Sequence, residues 1–285
     1  MMTSAMRHPS PSAARLAGLV LLATAACAAP RPPPAEALAL RQRTAGETAR
    51  RLDDPRTAAA LYGRASSSAA AGDRSDLAAD AACRQGLALL AAGDAALAVD
   101  PLERGAVLAR QAGNLPLSAR ALLGLARARR TTGQGDVAGP LQQARTLATA
   151  GGDRVAAALA ELGLGSLAPP EEARTRYDTA EALAGDAPEV AGPLRLARGM
   201  AAEREGHLAA ARAEYRAALA PLSSGDDRPA LLHALAAAAR LADGDAAGGS
   251  EAAALHRRAS GVAAGLGRRE QAAAEAAAAD RAERR

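Results

Sequence analysis

GMAAEREGHLAAARAEYRAALAP, residues 199–221, is the stretch on which the reading of the whole chain turns. Gly199 is followed by Gly206, then by Ala211, Tyr215, Ala218 and a closing Pro221. Ala, Leu, Arg and Glu are good helix formers, and Gly206 interrupts them where one helix must end before the next begins. The segment therefore reads as two short antiparallel helices joined by a tight turn, with small residues where the two must approach closely.

The same spacing returns upstream as Gly86, Gly93, Ala98, Leu102 and Gly105, with Leu in the aromatic position. Residues 101–114 and 140–153 also match, at an offset of 39, with Pro, Leu, Leu, Ala and Gly in register. Gly86, Gly124, Gly163 and Gly199 mark alternate helices at intervals of 38, 39 and 36 residues. Breaks fall at short polar clusters such as Gly72-Asp73, Gly93-Asp94, Gly113-Asn114, Gly185-Asp186, Gly225-Asp226 and Gly244-Asp245. Gly accepts the left-handed conformation that closes a helix, and Asp caps the next one and suits its positive end. β-branched residues are too few for strands. Two helices per unit at this period describe an all-α solenoid of helical hairpins.

On these residues the body resembles the tetratricopeptide repeat family. The resemblance spans most of residues 36–265 and implies a right-handed solenoid of antiparallel hairpins, about five to six repeats in number. It further implies that the first helix of each hairpin lines a concave, partner-binding face. Projection from the four glycines turns Asp80, Cys83, Leu87, Leu90, Leu125, Arg129, Leu164, Met200, Glu203 and Arg204 toward that groove. Several of the same residues serve equally well as hairpin core. Some family members clamp a peptide carboxylate with Lys and Asn; that clamp has no counterpart here, because Lys is absent.

Composition narrows the function. Among 285 residues there are three Tyr, no Trp and no Phe, so aromatic ligand cages and base-stacking platforms are excluded. All 35 basic residues are Arg, set against 31 acidic ones, and the net charge of +4 does not point to nucleic acid. Because Ala replaces larger residues, each position buries little area at about 25 cal/mol per Å², and stability must come from close helix approach over many repeats. Single hairpins should not fold alone.

The N-terminus reads as an address. Arg7 and Arg15 precede the apolar run Leu16 to Ala26, which suits a secretory signal and is short for a membrane span. Thr24, Ala25, Ala26 and Cys27 then resemble the lipobox of bacterial lipoproteins, which implies cleavage before Cys27, its lipidation, and a membrane anchor. Simple cleavage to a soluble periplasmic or secreted protein is the alternative, and an uncleaved cytoplasmic repeat module a third. The expected organisation is a signal at 1–26, a Pro-rich tether at 27–34, a repeat body at 35–266 and a capping or frayed helix at 267–285.

Chemistry is sparse. His207, His233 and His256 are scattered without paired ligands, so no metal is expected. GxSxG, Walker and HExxH patterns are absent, and Gly133-Gln134-Gly135-Asp136 lacks the strand and the Lys-Ser/Thr that a phosphate loop needs. Cys83, left alone once Cys27 is assigned to the anchor, reads as a buried thiol. Arg127, Arg129 and Arg130 suit the negative end of a helix. The expectation is a non-enzymatic, cofactor-free adaptor of the cell envelope that binds a protein or peptide. An envelope enzyme or small-molecule carrier with a pocket of dispersed residues is the alternative, and a deep polar cavity would mark it.

Overall fold

The computed structural model describes residues 34–185, 187–225, 227–244 and 248–284. The expected signal, Cys27 and most of the tether lie outside them, as do Asp186, Asp226 and Asp245 of the anticipated caps. Over the described residues the chain forms thirteen helices: α1 Pro34–Arg51, α2 Pro55–Ala71, α3 Ser75–Ala91, α4 Ala95–Gln111, α5 Leu115–Thr132, α6 Ala138–Ala150, α7 Arg154–Gly165, α8 Pro170–Ala184, α9 Pro188–Arg204, α10 Leu208–Ser224, α11 Arg228–Asp243, α12 Gly249–Gly265 and α13 Arg269–Glu283. Pro34, expected at the end of the tether, is instead the first residue of α1, where a missing N–H costs nothing.

The turns use the expected chemistry in part: Gly93 and Gly113 take the left-handed conformation, at φ 82° and 71°, whereas Gly225 and Gly244 do not, at φ −97° and −74°. Asp54, Asn114, Asp153 and Asp227 accept the amides of Thr57, Leu117, Ala156 and Ala230 at 3.0–3.2 Å and so cap α2, α5, α7 and α11. At Gly72-Asp73, however, the left-handed residue is Asp73, with φ 55°, while Gly72 stays at φ −101°. Asp tolerates that region because its short side chain can bond locally, and it gives up the capping role in doing so. Pro221 does not close its helix either: α10 runs three residues past it, and only its last turn forfeits a hydrogen bond.

Each helix packs on the next, and odd helices also touch odd helices, α1 with α3, α3 with α5, α5 with α7, α7 with α9 and α9 with α11. The odd helices therefore share the inner side, and α1/α2 to α11/α12 form six hairpins with α13 as a seventh-layer cap. This is the solenoid of helical hairpins that the period implies, with the TPR-like form that the resemblance implies.

The glycines explain how closely the pairs approach. A Cβ at Gly86 would stand 2.3 Å from Leu102 Cγ, one at Gly199 2.7 Å from Tyr215, and one at Gly163 2.6 Å from Leu141. Gly46 holds Tyr62 in the same way, at 2.7 Å. Gly46, Ala58, Tyr62 and Ala65 thus repeat the 199–221 spacing in the first hairpin, a unit the sequence reading passed over. Buried side chains fall into separate clusters strung along the chain, one around Tyr62, one around Leu102, one around Tyr177 and one around Tyr215. There is no shared centre.

Arginines tie one repeat to the next. Arg43 to Asp80, Arg56 to Asp94 and Arg212 to Glu251 join residues 37 to 39 apart, the repeat period itself. Arg74–Glu36, Arg84–Glu47 and Arg240–Glu203 do the same. Each exposed pair contributes about 0–1 kcal/mol, so they set register more than stability. Two further pairs bend the array onto itself: Arg228 Nη2 to Asp53 Oδ2 and Arg127 Nη1 to Asp227 Oδ2, both 2.5 Å. Leu266 lies beside Gly93 on the same closure. The turn between α10 and α11 therefore meets the turn between α1 and α2, and the solenoid surrounds its inner face.

Candidate binding cavity on the inner face

That curvature encloses a cavity of about 640 Å³. Hairpin 1 supplies Arg50, Asp53 and Tyr62, hairpin 2 Arg84, Leu87 and Ala88, and α5 Arg127. Leu159 of α7, Pro193 of α9, Leu222 of α10 and Arg228 of α11 complete the far wall. The floor is apolar and the rim charged. Arg84 is held by Asp80 and Glu47, Arg127 by Asp227 and Arg228 by Asp53, and Glu189 adds a further charge to the lining.

The projected groove residues divide. Leu87 lines the cavity. Leu90 and Leu125 are buried with Cys83 and Leu102, and Leu164 with Ala126 and Leu141, so these three are hairpin core and not groove. An inner helix touches its own partner and both neighbouring hairpins, which leaves only a narrow stripe facing inward. Arg129 also turns away, donating to Glu103 Oε1 at 2.5 Å and to the Asp136 carbonyl at 3.0 Å, while Arg127 takes the inner position. Asp80 is engaged by Arg43 at 3.4 Å and Arg84 at 2.9 Å. Met200, Glu203 and Arg204 sit together at the end of α9, outside the cavity lining. Burial pushes the Cys83 thiol up to about 12, with Asp80 adding to it, so it is inert as a nucleophile.

The hydroxyls of the three tyrosines differ in their surroundings. Each residue is at most 2% exposed. Tyr215 donates to Glu203 Oε2 at 2.8 Å, and Arg240 also holds that carboxylate. Burial raises the Tyr215 hydroxyl's pKa and Glu203 raises it further. For Glu203 burial works upward, but Tyr215 and Arg240 prevail and its pKa is lowered. Glu203 stands twelve residues before Tyr215; the same offset gives Arg50 for Tyr62 and Gly165 for Tyr177. Neither side chain offers an acceptor, and among the described residues the Tyr62 and Tyr177 hydroxyls have no well-formed hydrogen bond, with Arg84 near the first and Arg204 near the second. In hairpin 4 the cause is visible: Glu161, buried between Arg145 and Arg176, occupies the place of the glycine, and the Tyr177 ring lies over Gly165 instead.

Opposite signs are expected on removing these hydroxyls. Tyr62→Phe and Tyr177→Phe should each stabilise the chain by about 1 kcal/mol, because an unpaired buried donor is lost. Tyr215→Phe should destabilise it by about 1.5–3 kcal/mol, because a hydrogen bond to a charged group is lost. Urea unfolding of the three variants measures this; a common sign would refute it.

Among the described residues no cluster of His, Cys, Asp or Glu is arranged to hold a metal, and no helix is long and apolar enough to cross a membrane. No protein-family model and no curated protein matches the chain. Among solved structures it is similar to a Rap protein in complex with competence and sporulation factor, with a TM-score of 0.56 and 12% identity, covering 85% of this chain and 74% of that one. It is also similar to the TPR2AB domain of yeast Sti1 in its pHSP90 complex, with a TM-score of 0.32 and 14% identity, covering 87% and 99%. At 12% identity the likeness to the Rap protein is one of fold, and that fold is a TPR-like helical solenoid.

Proposed function

We propose that the chain is a non-enzymatic TPR-like adaptor of the bacterial cell envelope, anchored through a lipidated Cys27, that holds a short extended segment of a protein or peptide in its inner cavity. The carrying observation is the cavity of about 640 Å³ with an apolar floor, lined by Leu87, Leu159 and Leu222 beside Tyr62. An extended segment presents apolar side chains to Leu87, Leu159 and Leu222, and backbone carbonyls that a tyrosine hydroxyl can bond. The basic, then apolar, then Cys-bearing order of the first 27 residues supports the address. A volume in the range of ordinary small-molecule sites also favours a second reading, a small-molecule carrier.

Photo-cross-linking in cells separates these readings. A benzophenone amino acid at position 87, on the cavity wall, is expected to trap a polypeptide, and one at Leu97, an exposed residue of α4, is not. Leu159→Arg in the first of these should abolish trapping. Equal trapping at both positions sinks the cavity assignment, and a small-molecule adduct selects the carrier. Mass spectrometry of the mature chain tests the address: an acylated Cys27 is expected, and an intact Met1 overturns it.

A further inference from the structure

We infer that the ligand carries a carboxylate, received by Arg130 of α5, Arg204 of α9 and the Tyr177 hydroxyl of α8. This rests on the cavity reading and names the chemistry of its partner.

The template lies within the chain. In hairpin 5 the Glu203 carboxylate is held by the Tyr215 hydroxyl and by Arg240 from the next inner helix. In hairpin 4 the hydroxyl and the arginines are present and the carboxylate is missing. Gly165 stands at the offset that Glu203 occupies, and the hydroxyl of Tyr177, a residue 2% exposed, has no well-formed hydrogen bond among the described residues. Its ring comes within 2.6 Å of a Cβ built at Gly165, and the neighbouring Ser166 takes Arg130 Nη1 at 3.1 Å, so Arg130 and Tyr177 share this corner. Arg204 donates to the carbonyl of Met200, at 3.4 Å, and lies against the Tyr177 hydroxyl. Both guanidiniums oppose the rise that burial gives the Tyr177 hydroxyl.

Charge makes the corner an anion site. Arg84, Arg127, Arg228 and Arg240 on the inner face each have a carboxylate partner, whereas among the described residues Arg130 and Arg204 hydrogen-bond neutral oxygens. Arg130 is exposed, and burial of its inner part first and the neighbouring Arg127 second lower its pKa against the opposing pull of Asp227. A carboxylate can take paired N–H bonds from a guanidinium and one O–H bond, which this set supplies. Arg127, on the cavity wall, lies three residues before Arg130, about 4.5 Å along the helix axis. A segment seated in the cavity therefore reaches the corner with an acidic side chain or with its C-terminus.

The test uses the full chain and fluorescein-labelled decapeptides, read by fluorescence anisotropy. One alternates Leu and Glu with an amidated C-terminus, one alternates Leu and Gln with the amide, and one alternates Leu and Gln with a free carboxylate. The Leu-Glu peptide is expected to bind about tenfold or more tightly than the Leu-Gln amide, the scale of charge-assisted hydrogen bonds. Arg130→Gln with Arg204→Gln should reduce that preference to about twofold while leaving the Leu-Gln amide unchanged, since these exposed residues support no core. Tyr177→Phe, which keeps the ring, should reduce it about threefold. If the free-carboxylate peptide gains over its amide and loses that gain in the double variant, the corner reads a chain terminus as well. Equal binding of all three peptides, or a Glu preference that survives the double variant, overturns the carboxylate site alone. Absence of binding by any of them overturns the cavity reading and this inference together.

Discussion

Gly86→Val is expected to destabilise the protein by about 3 kcal/mol, the upper part of the usual range for overpacking a tight interface. The added Cβ would stand 2.3 Å from Leu102 Cγ and 2.8 Å from its Cδ2, and Leu102 cannot retreat. It is fully buried, and a Cβ on its other side, at Gly124, would already stand 2.8 Å from Cδ2. One leucine is thus wedged between glycines of two successive inner helices, and separating either pair opens the contact between hairpins 2 and 3. In an array where each repeat contacts only its neighbours, that interface is a large share of local stability. Gly261→Ala in α12 is the control: a Cβ there meets nothing within 4 Å, and the substitution should stabilise by about 0.5–1 kcal/mol through helix propensity. Leu102→Ala should recover part of the loss in the Gly86→Val background, since the two changes share one space. Urea unfolding checks all three; a Gly86→Val chain as stable as wild type would remove close helix approach as the basis of the fold.

Why the solenoid was legible follows from the same leucine. A large residue on an even helix needs a small one sixteen positions earlier, and Gly46 with Tyr62, Gly86 with Leu102 and Gly199 with Tyr215 all obey this. Packing of that kind leaves a fixed offset in the sequence, which one well-formed unit at 199–221 suffices to reveal. The first hairpin carries the same offset and could have been found by searching for it. Hairpin 4 obscures it, because a buried Glu161 sits at the small position and the tyrosine ring moves to Gly165.

The site was legible only in part. Leu87 lines the cavity, yet Leu90, Leu125 and Leu164 are consumed by helix contacts that a single-helix projection does not see. Arg127 and Arg129 are two residues apart and point to different faces, so a small error in rotation exchanges one for the other. The closure was invisible altogether. Asp53 and Arg228 are 175 residues apart, both at turns, and turn charges carry no periodic signal. The poorly bonded hydroxyls of Tyr62 and Tyr177 are likewise facts of register between repeats: the offset of twelve to Glu203 means nothing until Tyr215 is seen to use it.

His256→Ala is expected to release α13 from the end of the array and to cost about 3 kcal/mol, the scale on which a buried ionisable contact fails when one partner is removed. The cap has little else to hold it. Only Ala279 and Ala282 of α13 are buried, and two methyl groups contribute little at about 25 cal/mol per Å². The polar contacts therefore decide its position. His256, itself buried, places Nδ1 2.6 Å from Glu275 Oε2 of α13 and Nε2 2.9 Å from Asp243 Oδ2 of α11, so one ring joins three helices. Ser260 Oγ donates to the Ala272 carbonyl at 2.8 Å, and Arg257 pairs with Glu283. Removing the imidazole leaves two carboxylates facing a space they must rehydrate, and water enters most easily where α13 lifts away. Amide exchange across 269–283 should accelerate by two orders of magnitude or more, about 3 kcal/mol of local opening. Glu275→Ala should loosen the same helix while leaving the pair with Asp243, and so discriminates release of the cap from collapse of α12. Unchanged exchange in α13 in both variants would mean that alanine packing alone secures it, and a terminal helix this poor in buried area would then need another explanation for its order.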